Sequence, residues 1–154
     1  MKMDRIFNAF FITMFFSVSV LSVFYLSPAY AAGVSVGTLT INITGFKSDE
    51  GFAMISVVNS QKDFDEEVSY RKFKSKIKNG CVAQLVENLE FGKYGVKIFH
   101  DENENGKIDT RMFGIPVERY GFSNNARGKF GPPKYEEVKF MFEKPEMAIS
   151  VEVK

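Results

Sequence analysis

The sequence has no tryptophan, a single cysteine (Cys81) and a single histidine (His100). One thiol excludes an intramolecular disulfide, so stability in an oxidising compartment has to come from the core or from a bound ion. Cys81 lies too far from the N-terminus to be a lipoprotein attachment site, and it is expected to behave as a small buried hydrophobe. One imidazole and one thiol far apart in the chain supply neither a zinc site nor a Cys/His nucleophile pair. No G-x-S-x-G motif is present, and Ser56, Ser60 and Ser123 sit in no setting that marks a nucleophile. An excess of either charge is also missing. There are 20 Lys+Arg against 19 Asp+Glu, and setting aside Lys2, Arg5 and Asp4 at the N-terminus leaves 18 of each sign. Phosphate contacts need a basic surplus, so no nucleic-acid partner is expected.

What is present suits one folded domain. The chain has 154 residues, 45% of them hydrophobic, and 17 Phe supply bulk for a core. The N-terminus differs in kind from the rest. Lys2 and Arg5 precede an uncharged run from Ile6 to Leu26, followed by Ser27-Pro28-Ala29-Tyr30-Ala31-Ala32. Small residues at Ala29 and Ala31 fit the cleavage rule of a secretory signal peptide, and Pro28 stops the apolar helix before the cut. Residues 1–31 are therefore expected to be removed, leaving 32–154 as a single domain in the periplasm or outside the cell. The rival is an uncleaved anchor, because the apolar run is long enough to span a bilayer. Contact with a membrane is expected only through this segment, before cleavage.

Alternation of apolar and polar residues, the period of half-buried strands, recurs through the remainder. Leu39, Ile41 and Ile43 mark a first strand, residues 52–58 a second with Asn59-Ser60 as its turn, and residues 70–77 a third. Asn79-Gly80 is a hairpin signal leading into a strand from Cys81 to Asn88 whose inward parity is ambiguous. Tyr94, Val96, Ile98 and His100 share one face of a fifth strand, with Lys97 on the other. Two more are predicted, with Val138, Phe140 and Phe142 inward in one and Met147, Ile149, Val151 and Val153 in the other. The Leu89-x-x-Gly92-x-Tyr94 entry to the fifth strand resembles the tyrosine corner of immunoglobulin-like and transthyretin-like sandwiches, against the plainer reading of a buried tyrosine. The fold class expected is all-β: a seven-stranded sandwich of that type, with one long ordered loop over residues 101–136.

That loop opens on the most specific motif, Asp101-Glu102-Asn103-Glu104-Asn105-Gly106-Lys107-Ile108-Asp109. Oxygen donors at its first, third and fifth positions converge when the chain coils tightly, Gly at the sixth allows the bend, and the seventh offers its carbonyl. Asp101, Asn103, Asn105, the Lys107 carbonyl and Asp109 are therefore the candidate ligands of a calcium ion. Met112 stands where an EF-hand places a bidentate glutamate, so a further ligand would come from Glu118, Glu136 or water. With two carboxylates among the named donors, the expected affinity is on the order of 10⁻⁴–10⁻³ M. The alternative is a metal-free turn held by Asn side-chain hydrogen bonds. His100 is expected to be a packed structural residue; a hydrolase-type enzyme using His100 with Asp101 or Glu118 is the alternative function. No catalytic residue is assigned.

Past the motif, aromatics interleave with Arg111, Arg119 and Arg127. They either form a stacking platform for a glycan or peptide, or serve to anchor the loop through Phe113 and Phe122. The partner expected is an unidentified ligand or protein of the bacterial envelope.

Leu89-x-x-Gly92-x-Tyr94, His100-Asp101-x-Asn103-x-Asn105-Gly106-x-x-Asp109, Phe113-Gly114-x-Pro116-x-Glu118-x-Tyr120-Gly121-Phe122-Ser123-Asn124-Asn125 and Gly131-Pro132-Pro133 together resemble the bacterial secreted family termed domain of unknown function 2141. The resemblance implies export and a shared loop, and it supplies no reaction. The loop alone is similar to calcium loops in repeat domains of bacterial surface adhesins, an analogy in favour of the metal.

Overall fold

The computed structural model describes residues 35–154, so the signal segment and its cleavage site lie outside the described residues. The described residues form eight strands, two short α-helices and two 3-10 turns. β1 (Val36–Thr44) lies at the centre of a three-stranded sheet, antiparallel to β4 (Cys81–Glu90) and parallel to β8 (Glu146–Glu152). The second sheet has five strands. It runs β3 (Arg71–Ser75), β2 (Phe52–Val58), β5 (Gly92–Asp101) and β6 (Tyr120–Phe122), while β7 (Phe140–Phe142) pairs with the first residues of β5. The protein is thus mostly β, two sheets packed as a sandwich.

Period-two burial explains the packing. Leu39, Ile41 and Ile43 of β1 face Ala53, Ile55 and Val57 of β2 and Tyr94, Val96 and Ile98 of β5 across one core, closed by Phe142 and Val151. Each side chain of this size contributes about 1.5–3 kcal/mol when fully buried. The ambiguous parity of β4 has a physical cause. Leu39 pairs with Val86 while Gly37 pairs with Leu89, so a bulge adds one residue to β4 there, and Asn88 within it adopts φ 51°. The inward set therefore shifts from Val82 and Val86 to Leu89.

Several expectations need correction. Cys81 is exposed, because it precedes the inward-facing Val82 at the start of β4. Asn59-Ser60 is not a simple turn: Ser60 caps the short helix α1 (Gln61–Asp65), its hydroxyl accepting the Asp63 amide at 3.1 Å. Glu137 and Val138 belong to the helical turn α2 (Tyr135–Val138) rather than to a strand. β6, three residues inside the expected loop, makes the strand count eight instead of seven. With Phe64, Tyr135 and Val138, Phe122 of β6 builds a second, smaller apolar cluster. Among the described residues no helix is long and apolar enough to cross a membrane.

Candidate functional site

The end of β5 sets the position of the loop. Asp101 is the last residue of the strand and is fully buried. Its backbone pairs with Phe52, and Gly51 beside it leaves room: a Cβ on Gly51 would stand 2.0 Å from the Asp101 carbonyl oxygen, in a backbone conformation with φ 67°. From this anchor the chain coils back over its own carboxylate. Asp101 Oδ1 accepts the Asn105 amide and Oδ2 the Gly106 amide, both at 3.0 Å. Gly106 makes the bend at φ 77°, where an L side chain is strained.

The remaining polar side chains turn towards one another. Asn103 Oδ1 accepts the Asn105 amide at 3.1 Å, and Asn105 Oδ1 accepts the Lys107 amide at 2.8 Å. Both Asn side-chain amides donate to Asp109, Asn103 to Oδ2 at 2.6 Å and Asn105 to Oδ1 at 3.1 Å. Of the expected ligand set, Asn103, Asn105 and Asp109 therefore meet directly, Asp101 reaches them through the loop backbone, and Lys107 contributes a paired amide. Among the described residues no three His, Cys, Asp or Glu side chains gather at ligating distance. Amide and carbonyl oxygens or water would have to complete any coordination shell.

Glu118 is the residue whose role the motif alone did not define. Buried at 6% exposure, it accepts the Glu102 amide on Oε1 at 3.0 Å and the Asp109 amide on Oε2 at 2.9 Å, so it clasps both ends of the loop. A charged acceptor holding two backbone amides is among the stronger hydrogen-bonding arrangements. Glu136 takes no part in it and pairs with Lys139 on α2.

On this clasp stands a hairpin. Val117 donates to the Asp109 carbonyl at 2.9 Å, Thr110 bridges Pro116, and Arg111 donates to the Ile115 carbonyl at 2.8 Å. Phe113 and Gly114 make the tip at φ 67° and 72°. Phe113 is 94% exposed, so of the two aromatics expected to anchor the long loop only Phe122 does so. Among the described residues no arginine lies over the Phe113 ring. Arg119 donates to the Gly45 carbonyl at 2.5 Å, and Arg127 lies over the Tyr120 ring and donates to the carbonyls of Tyr120 and Glu152.

His100 is wholly enclosed. Nε2 donates to the Glu50 carbonyl at 2.8 Å, the Phe46 ring meets the imidazole edge-on, and Nδ1 has no hydrogen-bond partner, with Glu102 Oε1 3.8 Å away. The hydrolase alternative would need His100 to meet a substrate, and its imidazole has no exposed surface here. Beside the loop, the outer face of the larger sheet carries a groove of 510 Å³ walled by Gly106, Lys107 and Ile108 on one side and by Ser69 and Glu67 on another. Lys97 on its floor donates to the Phe64 carbonyl at 2.6 Å, and burial pushes its ammonium below the usual lysine range, an effect that Glu67 and Asp65 oppose.

Residues 41–150 match the family described as an uncharacterized protein conserved in bacteria, domain of unknown function 2141, and the chain belongs to that family. No curated protein and no solved structure matches it.

Proposed function

We propose that this family member is an exported, non-catalytic binding module of the bacterial envelope, in which loop 101–109 holds a calcium ion and presents the long loop that follows to a ligand or partner protein. In this reading residues 1–31 are removed as a signal peptide, and the mature domain, 32–154, is an immunoglobulin-like or transthyretin-like sandwich in the periplasm or outside the cell. The Tyr94 hydroxyl, which donates to the Glu90 carbonyl at 2.9 Å, supports that fold relationship.

One observation carries the functional reading. The side chains of Asn103, Asn105 and Asp109 crowd together beneath a hairpin whose Met112, Phe113 and Ile115 are exposed, and Glu118 joins the two. Asp101, Asn103, Asn105, the Lys107 carbonyl and Asp109 would be the ligands. All are oxygen donors, a set that suits calcium better than magnesium.

Melting of the mature protein in chelator and then in about 10 mM calcium tests the reading. A ligand of the native state adds RT ln(1+[L]/Kd), which is about 1.4–2.7 kcal/mol for the affinity expected. The melting temperature should rise by several degrees. An unchanged melting temperature, with unchanged protease sensitivity of residues 110–117, would reduce the loop to a hydrogen-bonded turn.

A further inference from the structure

We propose that the tip of hairpin 110–117 inserts into a lipid bilayer with anionic headgroups. The inference rests on the reading above that the loop is the presented surface, and it names the partner. It adds a second membrane contact to the one expected of the N-terminal apolar run.

The tip is apolar and stands clear of the protein. Met112, Phe113 and Ile115 are 79%, 94% and 60% exposed, and a Cβ added at Gly114 would meet nothing within 4 Å. Contiguous exposed side chains of this size mark an interaction site, whereas single ones need no explanation. The shape selects the partner. A protein surface would need a deep slot to cover a convex tip exposed on all sides, while acyl chains close around it. The charge agrees. Residues 110–117 contain one cation, Arg111, and no Asp or Glu, and Arg111 is exposed with no carboxylate partner among the described residues. Cations at the base of an inserted apolar tip lie at headgroup level, where anionic lipids attract them.

The backbone keeps the hairpin at headgroup depth, with only its side chains reaching the acyl chains. The amides of Arg111 and Gly114 are bonded within the hairpin and that of Val117 to the Asp109 carbonyl, while those of Met112, Phe113 and Ile115 have no backbone partner among the described residues. Unpaired amides are what makes a loop costly in hydrocarbon. The Glu118 clasp ties the hairpin's stem to the folded domain through Asp109 and Glu102, so the tip is held out rather than free to collapse.

The sequence has no tryptophan, so Phe113→Trp places a single fluorescent reporter at the tip. Vesicles of phosphatidylethanolamine and phosphatidylglycerol, with and without brominated acyl chains, supply the readout. It is local to the tip, so a retained N-terminal run cannot imitate it. The expected result is a blue-shifted emission, quenched by the brominated chains and weaker on phosphatidylcholine vesicles. Phe113→Asp and Ile115→Asp should weaken vesicle binding of the mature protein by about ten-fold or more, at unchanged melting temperature because neither side chain is packed. A tryptophan that stays water-exposed on the anionic vesicles overturns the proposal. So does a blue shift that grows with protein concentration without lipid, which would assign the tip to a second copy of the chain. The calcium titration separates the two readings: a quenched tip with a melting temperature that calcium leaves unchanged upholds insertion and removes calcium, while a calcium-dependent melting rise with an unquenched tip does the reverse.

Discussion

The Tyr94 phenol is 4% exposed, packed near Tyr70 and Phe142, and its hydroxyl donates to the Glu90 carbonyl four residues upstream. Burial raises its pKa, with a smaller contribution from Tyr70. The bond ties the end of β4 to the start of β5 across the turn at Phe91, so Tyr94→Phe should lower stability by about 0.5–1.5 kcal/mol in a urea denaturation series. Asp49 carries a different single-residue effect. It is fully exposed, yet its two oxygens accept the amides of Gly80 and Asn79 at 2.7 and 2.8 Å, and those bonds hold its pKa below the ordinary 3.8. A carboxyl depressed in the folded state stabilises it above the unfolded value, and that contribution is lost as pH falls through the folded one. Measured against the intrinsic rate at each pH, amide exchange at Asn79 and Gly80 should therefore accelerate only below about pH 4. In Asp49→Ala it should be fast at neutral pH; equal protection in the variant would show that the turn holds itself.

At the level of elements, Ser123 joins three of them. Its hydroxyl accepts the Val96 amide of β5 at 2.9 Å and donates to the Val138 carbonyl of α2 at 2.7 Å, all in the 3-10 turn that follows β6. Asn124 adds three further bonds from its side-chain amide to the carbonyls of residues 137–139. Ser123→Ala leaves the buried Val96 amide without its partner, while the Val138 carbonyl keeps the Asn124 side-chain amide; an unsatisfied buried donor costs about 1–3 kcal/mol. Chemical denaturation should register that loss, and hydrogen exchange should place it at α2 and the adjoining part of β5. A variant as stable as the wild type would mean that water replaces the hydroxyl.

For the molecule as a whole, the sandwich is a rigid base and the loop its projecting part. Asp101 belongs to both, buried in β5 and bonded to the amides of Asn105 and Gly106. Asp101→Ala should abolish the calcium-dependent rise in melting temperature and make residues 110–117 sensitive to protease. Asp109→Asn keeps an oxygen donor and removes a charge, so it should weaken the calcium effect without abolishing it. Equal loss in both variants would contradict the ranking of the two carboxylates.

The alternation of apolar residues was enough to place β1, β2, β5 and β8 and to assign Leu39, Ile41, Val96 and Ile98 to the core, because burying one face of a strand imposes period two on its residues. The Asp101–Asp109 motif was likewise readable from local spacing, since its hydrogen bonds close within nine residues of chain. What the sequence did not determine were features that depend on distant partners. β6 is three residues long and exists because Tyr120–Phe122 meets Lys97–Phe99 of β5. The short helices α1 and α2 form where Phe64, Tyr135 and Val138 pack with Val58 and Phe122, contacts invisible to a local pattern. The bulge that turned β4 over depends on its register with β1. Glu118 became the clasp only once residues 117–119 folded back beside the loop, and only that return fixed Phe122 as an anchor and left Phe113 in solvent. Tertiary structure decided these points because each needs two segments far apart in the chain to meet, and no spacing within one segment encodes where the other will lie.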